Sequence, residues 1–184
     1  LTISGVGAMP DYKYKLGRHR YNSPWYSYLR KISNIVICDG VSSIGDNAFY
    51  LDENDGWNFA NGLGAEITMG DKFLNYCGTT SVSLPNSIVT IGDGAFRNCR
   101  KLTSVVIPNS VMTIGSSAFS DCHGLISVNI PNSITTLKGY VFDGCINMTS
   151  ILIPNSVTSI SYSAFRGCNS LTSVSIPNSV TVIG

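Results

Sequence analysis

A single spacing of 23 residues runs through most of this chain. Proline recurs at that interval, and each of these prolines is followed by asparagine and serine. Phenylalanine and cysteine keep the same interval, so each unit approaches L-x-x-V-x-I-P-N-S-V-T-x-I-G-x-x-A-F-x-x-C. Self-similarity at a fixed period is typical of a repeat architecture. The prolines are Pro85, Pro108, Pro131, Pro154 and Pro177.

Each unit is too small to bury its own apolar face, so neighbouring units must stack on one another. Val105 and Ile107 alternate with variable residues, which is the pattern of a strand with one buried face. Pro108 ends this strand because it has no amide proton. A second extended piece, 111–114, and one helical or 3₁₀ turn that carries Phe119 complete the unit. The sequence therefore predicts a mainly β repeat solenoid.

Two columns of equivalent residues are predicted to form its core, because stacked strands lie about 4.8 Å apart and align like residues. The cysteine spacing lacks the close pairs of zinc sites. Cysteines stacked one above another point the same way, which gives a poor torsion angle across an S–S bond. Buried free thiols are therefore expected. The alternative is a series of disulfide bonds between cysteines of neighbouring units. Cys38 and Cys77 lie outside the column, and a bond between them is a further alternative. The columns are Phe96, Phe119, Phe142 and Phe165, and Cys99, Cys122, Cys145 and Cys168.

Three segments are predicted along the chain. Residues 79–184 hold the regular repeats, each of which forms one rung of the solenoid. They end in mid-repeat, so further rungs or domains are expected to follow. Residues 37–78 are interpreted as two degenerate rungs, the second carrying Phe73, with an inserted loop near 51–64. Residues 1–36 lack the repeat and are rich in aromatic residues. They are predicted to form a cap over the first rung, whose apolar end would otherwise face water.

Charge and motifs argue against most chemical functions. Twelve Lys and Arg against eleven Asp and Glu give a net charge of +1, which favours neither nucleic acid nor an anionic membrane. No apolar run is long enough to span a bilayer. His19 and His123 lie in unrelated segments, so no catalytic pair is expected and no cofactor is predicted. The segment with Asp52, Glu53 and Asp55 is interpreted as a solvated loop. A calcium site formed by these three carboxylates is the alternative.

The outward positions of the first strand form the main candidate partner-binding surface. One column is uniformly serine at Ser81 and its equivalents, whereas the next column varies. Outward residues can vary without disturbing the core, so they can determine which partner is bound. The alternative is that these positions are only solvated. Aromatic residues near the N-terminus are further candidate anchors. The candidates are Ser83, Val106, Asn129, Leu152 and Ser175 in the varied column, and Trp25, Tyr26 and Trp57 outside it.

The units that contain IPNSVTxIGxxAFxxC, together with PWYSY at 24–28 and IVICDGVSSIGDNAF at 35–49, resemble the BspA-like leucine-rich-repeat proteins. These are found on the surfaces of anaerobic bacteria and some parasitic protists. The resemblance implies a right-handed leucine-rich-repeat stack in an extracellular or cell-surface protein. It also implies a non-catalytic, adhesin-like role in binding host matrix or another cell-surface protein. A passive spacer or stalk in a larger surface protein is the alternative.

Overall fold

The computed structural model describes residues 1–10, 14–15, 18–21, 24–25, 28–29, 31–50 and 77–184. Within these residues the chain forms fifteen short strands joined by turns. They are β1 Thr2–Ile3, β2 Gly7–Ala8, β3 Tyr14–Lys15, β4 Arg18–Tyr21, β5 Asn34–Ile37, β6 Val41–Ile44, β7 Ser81–Ser83, β8 Thr90–Ile91, β9 Ser104–Val106, β10 Thr113–Ile114, β11 Ser127–Asn129, β12 Thr136–Leu137, β13 Ser150–Leu152, β14 Ser159–Ile160 and β15 Val182–Ile183.

Thirteen of these strands build parallel sheets on two faces of the stack, and β3 and β4 form a separate antiparallel pair. The first strands form a six-stranded sheet in the order β1-β5-β7-β9-β11-β13. The second strands form a four-stranded sheet, β10-β8-β6-β2, and a three-stranded sheet, β12-β14-β15. Ser127 pairs with Ser104 on one side and with Ser150 on the other, so strand neighbours among the regular repeats are one period apart. The predicted mainly β solenoid is confirmed.

The N-terminal segment has the backbone of a rung, contrary to the prediction that residues 1–36 lack the repeat. β1 pairs in parallel with β5, and β2 pairs with β6. Trp25 stacks on Phe49 at 5.5 Å and so occupies the phenylalanine column. The segment therefore caps the stack by extending both sheets, and it covers the strand edges of the next rung with hydrogen-bonding partners.

The region after this cap also differs from the expectation of two degenerate rungs. β5 pairs directly with β7, and β6 pairs directly with β8. Phe49 also stacks directly on Phe96, at 5.2 Å. This direct contact leaves no place for another rung between them. Phe73 and the loop predicted near 51–64 lie outside the described residues.

The third side of each rung is a run of hydrogen-bonded turns. Ala118 N–H donates to Gly115 O, and Cys122 N–H donates to Phe119 O. These are i to i+3 bonds, which is the pattern of the predicted 3₁₀ turns. Two positions in each turn have left-handed backbone angles, as at Ser117 (φ 55°) and Asp121 (φ 58°). Bonds between rungs, such as Phe119 N–H to Val141 O, join these turns along the stack.

The phenylalanines form a continuous row of stacked rings through the core. Phe119 lies 5.4 Å from Phe96 and 5.9 Å from Phe142, with interplanar angles of 10° and 13°. All three side chains are fully buried. Phe165 continues the row at 5.8 Å from Phe142 but is only partly buried. Ring pairs at such distances add to the stabilisation that burial provides.

The cysteine column lies beside the rings, and its thiols add a second hydrogen bond to phenylalanine carbonyls that already accept a turn N–H. Cys122 Sγ donates to Phe96 O at 3.2 Å, and Cys145 Sγ donates to Phe119 O at 3.3 Å. Cys168 repeats the contact on Phe142, and Cys99 makes a longer one of 3.9 Å to Phe49. A carbonyl oxygen has two lone pairs and can accept both bonds, so the thiol acts both as a small apolar filler and as a weak donor.

We expect Phe119→Ala to lower the free energy of unfolding by about 3 to 5 kcal/mol, because it removes a fully buried ring between two others. Chemical denaturation of the purified chain measures the loss. Phe165→Ala is the matched control in the same column, and its loss should be smaller because that ring is already partly exposed. Equal losses would contradict the assigned core.

We expect the four column thiols to react with a thiol reagent only when the chain unfolds. All six cysteines are free, and Cys38 is partly exposed whereas the other five are buried. Alkylation followed by peptide mass mapping separates the sites. Cys38 should label rapidly in the native protein, and Cys38→Ser should remove that fast reaction. Rapid native labelling of Cys122 or Cys145 would show that the column is not in the core.

Candidate partner-binding surface

The outer face of the six-stranded sheet presents two straight columns of side chains. In β7, β9, β11 and β13 the middle residue is buried and its two neighbours are exposed. This alternation follows from the pleat of a strand. The first column is made of small polar residues: Asn34, Ser81, Ser104, Ser127, Ser150 and Ser173. A partner can therefore approach the sheet closely along this side.

The second column carries large apolar side chains on alternate rungs. Val106 is 74% exposed and Leu152 is 71% exposed. Asn129 lies between them in the register of the sheet, and the two apolar residues are about 10 Å apart along the stack. Ser83 precedes Val106, and Ser175 follows Leu152 through an isolated bridge. The structure thus places all five predicted residues of the varied column on one exposed line.

Val36 belongs to the same column and was missed by the sequence analysis. It pairs with Ser83 in the sheet register and is 41% exposed. The apolar residues therefore recur at every second rung, at Val36, Val106 and Leu152. Aligning Ile35-Val36-Ile37 with Val82-Ser83-Leu84 of the next rung could have revealed the position.

A shallow groove of about 460 Å³ opens beside Val106 where β7 and β9 end. Ser83, Val106 and Asn129 supply its sheet side, and the turn residues Asn86 and Asn109 supply a polar side. Such a mixture of one exposed apolar side chain with amide donors and acceptors suits a peptide or side chain of a partner. The remaining lining residues are Val82, Leu84, Ile107 and Pro108.

Trp25 is placed as a packing residue and not as an exposed anchor. Its side chain is partly buried and stacks on Phe49. Its indole N–H donates to Ala48 O at 2.6 Å. Burial of the ring and of its single donor leaves little of Trp25 for a partner. Tyr26 and Trp57, the other predicted aromatic anchors, lie outside the described residues.

The buried cysteines are held in their unreactive form. Burial raises the pKa of the Cys122 and Cys145 thiols well above the ordinary value, and it raises the pKa of Cys168 to about 11. The neutral thiol is a poor nucleophile and metal ligand. Cys77 differs, because a hydrogen bond from Cys99 lowers the pKa of its fully buried thiol to about 7.

The described residues show neither a metal centre nor a membrane-crossing helix. No three His, Cys, Asp or Glu side chains come together there in a group that could hold an ion. Asp52, Glu53 and Asp55, the alternative calcium ligands, lie outside the described part. No helix in that part has the length and apolar character needed to cross a bilayer.

Stacked parallel rungs with a strand face and a turn face define the leucine-rich-repeat class of solenoid, whose period is roughly 20 to 29 residues. The model of the BspA-type leucine-rich-repeat region matches residues 67–184 in six copies. The chain therefore belongs to the BspA-type leucine-rich-repeat family, and the resemblance inferred from the sequence is confirmed. Among curated proteins, none matches this chain.

Solved structures share the fold over most of the chain. A leucine-rich cell surface protein from Faecalibacterium prausnitzii has 28% identity and a TM-score of 0.66, with 100% of this chain and 45% of that one covered. A leucine-rich-repeat protein from Bacteroides ovatus has 27% identity and a TM-score of 0.64, with coverages of 97% and 48%. A leucine-rich-repeat protein of T. pallidum, 24% identical with a TM-score of 0.64, covers 82% of this chain and 59% of its own. This chain thus spans about half the length of these proteins.

We expect substitutions of Trp25 to change stability. Trp25→Phe keeps the ring stack but loses the bond to Ala48 O, and it should lower the free energy of unfolding by about 1 kcal/mol. Trp25→Ala also removes the ring from the column and should cost about 2 to 4 kcal/mol, since the side chain is only partly buried. Denaturant titration measures both. A negligible loss in Trp25→Ala would mean that the cap does not depend on this stack.

Proposed function

We propose that the chain is a non-catalytic, adhesin-like protein-binding module of a cell-surface or secreted protein, and that it binds through the outer face of the six-stranded sheet. One observation carries the proposal: Val36, Val106 and Leu152 stand exposed in a single line among small polar residues. Large apolar side chains aligned on a surface are typical of interaction sites. The chain belongs to a leucine-rich-repeat family, and leucine-rich repeats commonly take part in protein–protein interactions. Membership of this family supports the same function.

The geometry also suits a partner of ordinary size. Six paired strands, each about 4.8 Å from the next, give a sheet roughly 24 Å across. Burial of Val106 and Leu152 beneath a partner would supply apolar contact at the centre of this face. The serine and asparagine residues around them would form the polar rim that such interfaces need. Binding at this face would require no change in the core, because the buried residues of these strands face inward.

This proposal includes a location outside the cell. It also includes a host matrix protein or another cell-surface protein as the ligand. The similar Faecalibacterium prausnitzii protein is described as a cell surface protein, which supports that location. A passive spacer is the second candidate. The uniform serine column favours it, because small hydroxyl side chains can simply be solvated.

The double variant Val106→Asp/Leu152→Asp tests the proposal, because it places charge in the contact that binding would desolvate. Wild type and variant are titrated against immobilised collagen, laminin and mucin. We expect affinity for any protein bound by wild type to fall at least about tenfold, while the free energy of unfolding changes by less than about 0.5 kcal/mol.

Met112→Asp/Thr158→Asp is the matched control. These two residues are exposed on the same two rungs as Val106 and Leu152, but they precede the second strands. The control should bind as wild type does. Equal weakening in both variants, or none in either, would exclude the six-stranded face as the binding site. Absence of binding to every protein tested would favour the spacer.

A further inference from the structure

A polar pocket of about 300 Å³ lies among the turns, which form a different side of each rung from the six-stranded sheet. It is separate from the proposed protein-binding face, and no residue is shared between the two. Its lining combines two arginines, one carboxylate, two serine hydroxyls and a tyrosine. The residues are Arg97, Ser117, Ser120, Tyr140, Asp143 and Arg166.

At this pocket two small side chains of one rung, Ser117 and Ser120, lie beside longer side chains of the adjoining rungs, although Gly94 precedes Ser117 in its column. Ser120 has Arg97 and Asp143 as its equivalents on the adjacent rungs, each 23 residues away in the sequence. Ser117 likewise has Tyr140 as its equivalent on the following rung. The two serines therefore leave a depression that is closed at one end by Arg97 and at the other by longer side chains.

Both ion pairs at the pocket present their cation outward. Arg166 Nε donates to Asp143 Oδ1 at 3.0 Å, and the arginine side chain is 68% exposed against 14% for the aspartate. Arg97 lies 3.8 Å from Asp121, and its side chain is also the more exposed of that pair. Since Asp143 engages only Nε of Arg166, the two terminal nitrogens remain available as donors. An incoming ligand therefore meets guanidinium groups before it meets the carboxylates.

An aromatic side chain stands beside these donors. The Arg166 guanidinium lies 5.6 Å from the centroid of the Tyr140 ring. Tyr162 forms a T-shaped contact with the same ring, with centroids 5.0 Å apart and an interplanar angle of 85°. A tyrosine held in this way offers an apolar ring together with a hydroxyl group.

We propose that this pocket binds an acidic sugar, such as a sialic or uronic acid at the end of a glycan chain. Its carboxylate would be bound by the outward guanidinium groups, which match carboxylate geometry. The sugar hydroxyls would exchange hydrogen bonds with Ser117 and the recessed Asp143, whereas the Ser120 hydroxyl is buried and donates to Asp121 Oδ2. The C–H groups of the sugar would contact the part of the Tyr140 ring that the Arg166 guanidinium does not cover. This adds a glycan ligand, at a second site, to the proposed protein partner.

Other ligands of similar size fit less well. A neutral sugar brings no carboxylate to the outward nitrogens of Arg97 and Arg166, whose anionic partners then remain Asp121 and Asp143. Inorganic sulfate or phosphate pairs with arginine but uses neither the Tyr140 ring nor the acceptor oxygens of Asp143. Only a ligand that joins one negative charge to a polyhydroxylated ring uses every kind of group in the lining.

Titration of the whole chain by NMR with N-acetylneuraminate, galacturonate, galactose and sulfate tests the proposal. We expect at least one of the two acidic sugars to bind with a dissociation constant of roughly millimolar order, typical of a small exposed site. It should bind at least about tenfold tighter than galactose and sulfate. Binding of galactose or sulfate as tight as that of both acidic sugars, or no binding of either acidic sugar, would overturn the proposal.

Two variants locate the binding. Arg97→Gln should weaken the acidic sugar at least about fivefold because it removes one guanidinium group. Ser117→Tyr should abolish binding by filling the pocket, and the backbone accepts tyrosine in this column because Tyr140 has a similar left-handed φ of 58°. Ser163→Tyr is the matched control, since it lies in the same column at φ 54° but does not line the pocket.

Equal loss of binding in Ser117→Tyr and Ser163→Tyr, with both variants folded, would place the sugar elsewhere and overturn the proposal. So would unchanged affinity in Ser117→Tyr. None of these three substitutions lies on the six-stranded sheet. Failure here is therefore distinguishable from failure of the protein-binding proposal, which depends on Val106 and Leu152.

Discussion

The row of stacked phenylalanine rings sets the distance at which successive rungs can meet. Neighbouring centroids from Phe49 to Phe165 lie 5.2 to 5.9 Å apart with nearly parallel planes. This distance is compatible with parallel strands about 4.8 Å apart on the other sides of the rung. It also lets Cys122 reach the carbonyl of Phe96 on the preceding rung. Sheet pairing, turn pairing and the thiol contacts therefore depend on one common spacing.

Glycine is needed where this spacing brings backbone against backbone. A Cβ atom added to Gly115 would lie 2.4 Å from Asp93 N and 2.4 Å from Gly92 C, on the preceding rung. Asp93 uses its side chain at the same junction, where Oδ1 accepts from Ser116 N–H at 2.7 Å. The motif Ile-Gly in the repeat is thus explained by close approach between rungs, in addition to the turn that follows it.

The period of 23 residues was sufficient to predict the solenoid, its strands and its inward positions, because every regular rung repeats the same local pattern. Phe119 and Cys122, assigned to the core on that basis, are fully buried. The N-terminal rung could not be found in this way. Its column residue is Trp25 in place of phenylalanine, and β1 and β2 lack the Pro-Asn-Ser turn between them. The cap therefore pairs and packs as a rung does, although its sequence lacks the repeat motif.

The two candidate sites differ in how far the sequence could reveal them. The exposed line of Val106 and Leu152 follows from the position of each residue within its repeat, so aligning the repeats with one another finds it. The pocket around Ser117 and Ser120 depends on what the adjoining rungs supply, and its charge depends on which member of each ion pair faces outward. Those properties arise from side-chain packing across several rungs, and no single repeat contains them.

Neighbouring residues of one strand serve different purposes in this fold. Val105 is 4% exposed and belongs to the core, whereas Val106 is 74% exposed. A larger or polar residue at the first position would disturb close packing, which commonly costs about 1 to 3 kcal/mol. At the second position the same change meets solvent and leaves the stack intact. The outer columns can therefore vary from rung to rung, and a surface with its own pattern of apolar and polar groups forms on a core that stays nearly constant.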